Sequence, residues 1–272
     1  MRSRKRHVVG VFGGLGNQLF QYSWAKHLTR ESGLVSKLDT SALRSGPRQL
    51  ELGGLGLQVG PSQLKGMRYV PFVGGRFDRF GHAARRIIGP TTIMREGQPA
   101  VLLGGLNEPS WWYGYWQSRE VVLGVLAGVR AEVREPIPVG NTIGVHVRRS
   151  DFVALGLELT AEYYCSAVRR LHQAHPSVSS VVVFSDDPSW CAENLHFDLR
   201  TTIAQGGSAS DDLLALAGHE YLVLSRGTFG WWAAHLQDRA AQSVVYPVPY
   251  VPGSPEAARL LIDPDWIALS VE

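Results

Sequence analysis

The stretch "TIGVHVRRSDF", residues 142–152, is an apolar strand that ends in two adjacent arginines and an aspartate. Charges are costly wherever water is excluded unless each has a partner, so this end of the strand is expected to face solvent or a charged ligand. Four more apolar strands follow at 179–185, 199–204, 220–225 and 242–247. Helical patterns fill the gaps between them, and this alternation is typical of a parallel sheet with helices on both faces.

The N-terminal half begins with the same kind of unit. The apolar segment "HVVGVF" (7–12) predicts a strand, and "GGLG" (13–16) predicts a turn. Residues 17–31 then predict an amphipathic helix, and "GLVSKLD" (33–39) predicts a second strand. Residues 40–100 show no sustained hydrophobic period, and no element is assigned to them.

A linker separates the two halves. The aromatic segment "WWYGYWQS" (111–118) precedes a predicted helix at 119–135, and residues 136–141 contain two prolines followed by Gly-Asn, which is typical of a linker. We therefore predict two lobes, residues 1–138 and residues 139–272.

Composition is that of a soluble globular protein. Of 272 residues, 44% are hydrophobic and 19% are charged, and the formal net charge is +3. Cys165 and Cys191 are too few for a disulfide framework, and no apolar run has the length of a membrane span, which predicts a cytoplasmic protein. The basic run "RSRKR" (2–6) is interpreted as a solvated tail. The alternative is a weak peripheral contact with anionic lipid at the inner face of the membrane; no nucleic-acid partner is predicted.

Polar segments follow three of the predicted strands. They are "RRSD" (148–151), "SDD" (185–187) and "SRGTFGWW" (225–232). Because ligands of parallel α/β sheets bind beyond the carboxyl ends of the strands, we predict that these segments form one site.

Five motifs together resemble a known family. They are "GGLGNQLFQYSWAKHL" (13–28), "GYWQS" (114–118), "HVRRSDF" (146–152), "FSDDPSW" (184–190) and "DDLLALAGHEYLVLSRGTFGWWAAHL" (211–236). In this order they resemble the successive motifs of the α-1,2-fucosyltransferases, glycosyltransferase family 11. Any one of them alone would be a weak signal.

The resemblance implies a fold and a reaction. It implies an α/β, two-lobed GT-B-type fold, with an acceptor-side N-terminal lobe and a Rossmann-like C-terminal lobe that binds the GDP-sugar. It also implies transfer of L-fucose from GDP-β-L-fucose to the 2-hydroxyl of a terminal galactose, with inversion and without a metal. The sequence departs from the family's pattern at Ser150, where glycine is usual, and where "SNSTFSWW" is replaced by Arg226, Gly227 and Gly230.

Arginine is the residue type that this chemistry needs. Negative charge grows on the leaving β-phosphate, and a planar guanidinium can bind two phosphate oxygens. Side chains alternate along a strand, so His146, Arg148 and Ser150 are expected on one face and Arg149 on the other. We assign Arg148 to the β-phosphate and expect Arg149 to pair with a carboxylate, either Asp151 or one from the following helix.

The other donor-side candidates are glycines, amides, carboxylates and hydroxyls of the same motifs. The donor-binding set is Gly14, Gly16, Gln18, His146, Arg148, Ser185, Asp186, Asp187, Asp212, Ser225, Thr228 and Phe229. The alternative for Asp186 and Asp187 is helix capping. Asp212 is a candidate for the guanine edge, whose N1–H and N2–H₂ donors suit a carboxylate. The glycines can also serve only the tight turn.

The catalytic candidates are Arg148, Asp151 and Asn17, the last because the resemblance places its loop beside the reacting centre. Asp151 is the candidate base; it can instead orient an arginine, and an oxocarbenium-like transition state lessens the need for a strong base. The acceptor-binding candidates are Trp112, Tyr115, Trp116 and Glu158. The alternative for these aromatics is packing.

No metal or other cofactor is predicted. The Asp-x-Asp segment "DPD" (263–265) lies in a C-terminal turn, and neither cysteine has a second ligand at zinc spacing. Three alternatives stay open: another GDP-sugar-dependent glycosyltransferase, a non-catalytic carbohydrate- or nucleotide-binding module, and a nucleotide-dependent oxidoreductase. The last lacks the glycine fingerprint.

Overall fold

The computed structural model describes residues 6–44, 47–60, 92–95, 110–237 and 243–271. The predicted basic tail therefore lies outside the described residues, except for Arg6.

The chain divides into two compact units. The first comprises Met1–Gly53 and Gln58–Leu126, and the second comprises Gly54–Leu57 and Ala127–Glu272. The chain thus passes between units after Leu126, ahead of the boundary predicted at 138/139. The acceptor and donor roles given to the two lobes stay predictions.

The first unit is built on a parallel sheet. Up to residue 130 the elements are β1 (Arg6–Gly10), α1 (Leu15–Ser32), β2 (Val35–Asp39), β3 (Thr92–Arg95), β4 (Ser110–Tyr113) and α2 (Arg119–Arg130), with 3-10 turns at Ser41–Arg44 and Leu52–Leu55. The strand order is β2-β1-β4-β3, and all its pairs are parallel. The predicted strand–helix–strand opening is confirmed, whereas β4 is a strand that the aromatic pattern does not reveal. Helix α2 ends earlier than the predicted 135.

Burial fixes α1 in place. Leu19 and Leu28 of the helix and Val9 of β1 are fully buried. Gly33 ends the helix with φ of +68°, a conformation that glycine adopts without a side-chain clash, and its N–H donates to the Thr29 carbonyl at 3.0 Å. The next strand can therefore return directly beside β1.

The second unit alternates strands and helices throughout. Its elements are β5 (Val139–Val147), α3 (Ser150–Leu155), α4 (Ala161–Ala174), β6 (Ser180–Ser185), α5 (Pro188–Asn194), β7 (Arg200–Ile203), α6 (Ala209–Ala217), β8 (His219–Val223), α7 (Thr228–Leu236), β9 (Ser243–Val248), α8 (Pro255–Arg259) and β10 (Ile267–Ser270). The sheet order is β10-β9-β8-β5-β6-β7, and all its pairs are parallel. The predicted parallel sheet is confirmed, and β10 adds a strand that was not predicted.

The strand order contains a reversal. The chain builds outward from β5 through β6 to β7, and then returns to the other side of β5 to build β8, β9 and β10. This is the doubly wound order of Rossmann-like domains, in which ligands bind where the order reverses. That point lies between the carboxyl ends of β5 and β8.

Helix α4 covers the sheet beside this point. Thr160 caps its N-terminus by accepting the Tyr163 N–H, and Tyr164, Val168 and Leu171 are buried. They belong to the same apolar cluster as Val145 of β5. The sheet beside the switch point is therefore supported by a packed apolar core.

Candidate active site

The polar segment after β5 leaves the strand earlier than the sequence indicates. The strand ends at Val147, and Arg149 precedes α3 with φ −129° and ψ −75°, outside the extended region. The alternation that placed His146, Arg148 and Ser150 on one face is therefore wrong beyond Val147, because Ser150 already opens a helix.

Arg148 is held by two carboxylates. Its Nη1 lies 2.6 Å from Asp186 Oδ2, and its Nη2 lies 2.5 Å from Asp151 Oδ1. The Phe152 ring lies 5.6 Å from the guanidinium carbon. The guanidinium therefore sits between the ends of β5 and β6 in a fixed orientation, and Asp151 orients an arginine, which was one of the two roles expected for it.

Arg149 is packed and paired, as predicted, but with a different partner. Its Nε lies 3.3 Å from Asp187 Oδ2, and its guanidinium carbon lies 3.8 Å from the centre of the Trp190 ring. The expected pairing with Asp151 is wrong, because that carboxylate is bound to Arg148. The two arginines thus occupy different surroundings: the Arg148 guanidinium is bound by Asp151 and Asp186, and that of Arg149 by Asp187 and the Trp190 ring.

The carboxylates after β6 are partly committed to local structure. Asp187 caps α5 by accepting the Trp190 N–H at 3.1 Å, and Ser185 Oγ accepts the Asp187 N–H at 3.0 Å. Asp186 accepts the Arg149 backbone N–H at 2.8 Å. The capping alternative is therefore confirmed for Asp187; donor-binding roles of Ser185, Asp186 and Asp187 stay predictions.

His146 is a buried, uncharged ring. Burial, helped by the positive charge of Arg148, lowers its pKa to about 4. The ring stacks on Phe229 with centroids 5.1 Å apart, which joins the end of β5 to the start of α7. Because the imidazole is neutral at physiological pH, it cannot supply positive charge to a phosphate.

The strand end of β8 is anchored from below by two tyrosines. Tyr163 donates to the Leu224 carbonyl at 2.8 Å, and Tyr164 donates to Ser225 Oγ at 3.3 Å. Ser225 is fully buried, and its donor-binding role stays a prediction. The sequence analysis did not predict these tyrosines. The only feature of the sequence that points to them is that they are adjacent on a helix beside the predicted site.

In the loop after β8, where the sequence departs from the family's pattern, backbone conformation and close packing explain the two glycines. Gly227 has φ of +107°, which favours glycine, and its carbonyl accepts the Tyr250 hydroxyl at 2.6 Å. A Cβ at Gly230 would lie 3.0 Å from His146 Nδ1. Arg226 is only 8% exposed, and its guanidinium donates to backbone carbonyls of the second unit.

Two adjacent aspartates open α6. Asp211 is bound by Arg134 at 2.8 Å and by the capping Ser208 hydroxyl at 2.6 Å. Asp212 is half-buried, and burial together with the charge of Asp211 raises its pKa. Among the described residues no side chain or backbone N–H donates to the Asp212 carboxylate, which leaves it available to a ligand. Its assignment to the guanine edge stays a prediction.

In the glycine loop of the first unit and the start of α1, some residues are engaged in contacts within the unit. Gln18 is buried and donates to the Gly13 and Gln49 carbonyls at 3.0 and 2.7 Å. Gly16 is buried within α1. The Gln18 side chain is thus engaged by the chain's own backbone, whereas Gly16 lies in the first turn of α1, where backbone N–H groups lack an intrahelical acceptor. The donor-binding roles of Gln18 and Gly16 stay predictions.

Asn17 and Gly14 remain at the surface of that loop. Gln117 Nε2 donates to Asn17 Oδ1 at 2.9 Å, which joins two of the sequence motifs. Gly14 is the N-cap of α1 and brings no side-chain acceptor. The sequence analysis missed Gln21, whose side chain accepts the Phe12 N–H and donates to the Gly114 carbonyl. The roles of Asn17 and Gly14 stay predictions.

The aromatic patch is mostly core. Trp116 stacks on Trp24 at 4.6 Å with a 5° interplanar angle, and Trp112 is buried against the same ring. Packing, the alternative for these aromatics, thus accounts for the buried Trp112 ring and for one face of Trp116. Their acceptor role stays a prediction. Tyr115 is 44% exposed beside Phe12, and it remains a candidate for contact with a sugar.

Two further segments bear on ligands. Glu158 has one carboxylate oxygen that is buried without a hydrogen bond from any described residue. In the "DPD" segment, Asp263 accepts the Asp265 N–H at 3.1 Å and so closes a turn. Across the described ranges, no group of three or more His, Cys, Asp or Glu side chains is arranged to hold a metal ion.

None of the helices described is both long and apolar enough to span a bilayer.

A doubly wound parallel sheet with an oriented arginine in the loop after β5, beside the switch point, is typical of nucleotide-binding α/β domains. The family model described as "Glycosyl transferase family 11" matches residues 106–269, and the chain belongs to this family. The site of the second unit lies within the matched residues.

Relatives agree with this family. The chain is 24% identical to the α-1,2-colitosyltransferase of Escherichia coli, in a match that covers 89% of this chain and 91% of that protein. It is 32% identical to the galactoside 2-α-L-fucosyltransferase SEC1 of Bos taurus, over 56% of this chain and 44% of that protein. It is 30% identical to galactoside α-(1,2)-fucosyltransferase 2 of Mus musculus, over 57% and 47%. The match thus spans less than half of each mammalian relative.

Among solved structures, POFUT1 in complex with GDP matches with a TM-score of 0.48 and 11% identity, over 90% of this chain and 99% of that chain. This likeness is too weak to add to the assignment.

Proposed function

We propose that the protein transfers L-fucose from GDP-β-L-fucose to the 2-hydroxyl of a terminal galactose, with inversion at the sugar carbon. The observation that carries the proposal is the family match over residues 106–269, together with relatives named for α-1,2-fucosyl and α-1,2-colitosyl transfer. The site of the second unit supports it chemically.

Arg148 stabilises the leaving group in this proposal. As the bond between sugar and β-phosphate breaks, negative charge grows on the phosphate, and two guanidinium N–H groups are suited to two of its oxygens. Asp186 fixes the arginine from β6. The nine-residue α7 follows β8, on the other side of β5 in the sheet. Its N-cap Gly227 brings no side-chain acceptor, so its first backbone N–H groups add to the positive potential at this edge of the sheet.

The nucleotide and the acceptor have separate candidates. Asp212 is a half-buried carboxylate that suits the N1–H and N2–H₂ donors of guanine. Asp151 is the candidate base for the attacking hydroxyl once it leaves Arg148. Tyr115, which is largely exposed, and Glu158 are the first candidates for contact with the acceptor sugar.

We also propose that the reaction needs no metal, because Arg148 and the N-terminus of α7 supply positive charge to the phosphate. The basic run 2–6 is proposed to make, at most, a weak contact with anionic lipid from the cytoplasmic side. Sedimentation with vesicles of phosphatidylserine and phosphatidylcholine, with and without residues 2–6, tests that contact.

A second donor is favoured by one observation. The colitosyltransferase match covers 89% of this chain and 91% of that protein, whereas the matches to the two mammalian fucosyltransferases cover less than half of each of those proteins. Colitose is L-fucose without its 3-hydroxyl, so a site that hydrogen-bonds this hydroxyl would reject colitose strongly. The ratio of kcat/KM for the two GDP-sugars therefore identifies the donor.

The test is product analysis with purified protein. GDP-fucose or GDP-colitose is supplied with lactose, and the linkage of the product is determined by NMR. The proposal expects an α-1,2 linkage to galactose. A control variant, Arg170→Lys on the exposed face of α4, should match the wild type. GDP binding without transfer to any galactoside would instead support a binding module.

A further inference from the structure

Arg226 is a buried cation that joins three segments of the second unit. Its Nε donates to the Pro249 carbonyl at 3.0 Å, and its Nη1 donates to the Leu157 carbonyl at 2.9 Å. Arg226 itself follows β8, Pro249 follows β9, and Leu157 lies between α3 and α4. A single side chain therefore fixes the spacing of three loops at the carboxyl edge of the sheet.

The segment that Arg226 holds carries a carboxylate. Glu158 directly follows Leu157, and one of its oxygens is buried without a hydrogen bond from any described residue. Its negative charge acts favourably on the Arg226 guanidinium, which burial disfavours. Carbonyl dipoles and this charge together compensate a cation that would otherwise be costly to bury. The position of Glu158 thus depends on Arg226.

Only a long side chain can make this connection. The family's pattern "SNSTFSWW" has asparagine at this position. Asparagine has a single methylene between its backbone and its amide. It cannot reach carbonyls that lie on two other loops. A long side chain at position 226 is therefore needed to hold the segment 157–159 in this way, and this contact is separate from the pairing of Arg148 with Asp186.

We propose that Arg226 is a positioning residue that determines acceptor binding by holding the segment 157–159, and with it Glu158, against the loop after β8. This inference rests on the proposed transfer to a galactoside. It predicts that changes at Arg226 act on the acceptor and leave the affinity for GDP nearly unchanged.

The test compares Arg226→Met, which keeps the length but loses the donors, with Arg226→Lys, which keeps the charge and one donor group. Arg170→Met on α4 is the exposed control. For each, KM for lactose, kcat with GDP-fucose, Kd for GDP and the melting temperature are measured. We expect Arg226→Met to raise KM for lactose at least about fivefold, equivalent to about 1 kcal/mol, with Kd for GDP within about twofold of wild type.

Arg226→Lys should restore part of the acceptor affinity, and it carries the test if Arg226→Met does not fold. Glu158→Gln should also raise KM for lactose, and the double variant should show less than the summed effect, since both changes act on one segment. A lower melting temperature with an unchanged KM would overturn the proposal in favour of a purely structural role. An equal loss of GDP affinity would assign Arg226 to the donor site.

Failure of the proposed function gives a different result. If the wild type neither binds GDP nor transfers a sugar, the function is wrong and the acceptor role of Arg226 falls with it. If the wild type is active and the Arg226 variants have the same KM for lactose as the control, the function stands and only the inference about Arg226 is wrong.

Discussion

Removing the Asp151 carboxylate should tighten the binding of GDP. In the structure the two outer nitrogens of Arg148 are bound by Asp151 and Asp186, so a phosphate must displace at least one of them. Asp151 is the weaker competitor, because its side chain is 52% exposed and lies on α3, which has no buried residues. Asp186 is 23% exposed and also accepts the Arg149 backbone N–H.

The magnitude follows from the exposure of the pair. Exposed ion pairs contribute about 0.2–1 kcal/mol, so Asp151→Asn should lower Kd for GDP by up to about fivefold. Asp186→Asn should raise Kd, because it releases both the guanidinium and the Arg149 amide. Isothermal titration calorimetry at two salt concentrations measures both, and the gain for Asp151→Asn should shrink at high salt.

The reasoning fails if Asp151→Asn weakens GDP binding as much as Asp186→Asn does. That result would mean that Asp151 holds Arg148 for the phosphate rather than competing with it. A matched Asp198→Asn variant, on the exposed segment before β7, should leave Kd unchanged.

Three further outcomes are expected. Activity should survive EDTA, because arginine and helix N–H groups carry the phosphate charge; loss of turnover that Mn²⁺ or Mg²⁺ restores would contradict this. The pKa of His146 is lowered to about 4, so between its ordinary value and pH 4 the unfolded chain binds a proton that the folded chain refuses, and stability falls with falling pH. When the pH is lowered from 7 to 4.5, the free energy of unfolding of His146→Phe, measured in urea, should therefore fall by about 2–3 kcal/mol less than that of the wild type. An equal fall in both proteins would refute the lowered pKa of His146. Tyr163→Phe should lower the free energy of unfolding by about 1–2 kcal/mol, since it leaves the buried Leu224 carbonyl unpaired; an unchanged urea midpoint would count against this.

The parallel sheet could be predicted because its strands are continuous apolar runs and its crossovers are helical. The end of β5 could not. Helix α3 has six residues and buries none of them, so it leaves no apolar period in the sequence, and the alternation of the strand seemed to continue to Ser150. Short exposed helices are set by the contacts of their ends rather than by a pattern.

The chemistry of the site was predictable in type but not in pairing. Paired arginines and aspartates indicate an anion site, whereas the partner of each arginine depends on a strand that lies about forty residues away. The direction of Arg226 is set by carbonyls 69 and 23 residues distant. The indole of Trp116 is covered by Trp24 on α1, and no local pattern distinguishes that stack from a sugar-binding surface.

The central claim is that Arg148, and not Arg149, stabilises the leaving phosphate. Kinetics and melting temperatures of Arg148→Lys and Arg149→Lys, with GDP-fucose and lactose, test it most directly. Lysine keeps the charge but not the two-pronged donor, so Arg148→Lys should lower kcat about 10²- to 10³-fold with little change in stability. Arg149→Lys should keep most of its activity and lose about 1–3 kcal/mol of stability, because it loses the stack on Trp190 and the bond to Asp187. A stably folded, inactive Arg149→Lys beside an active Arg148→Lys would contradict the account.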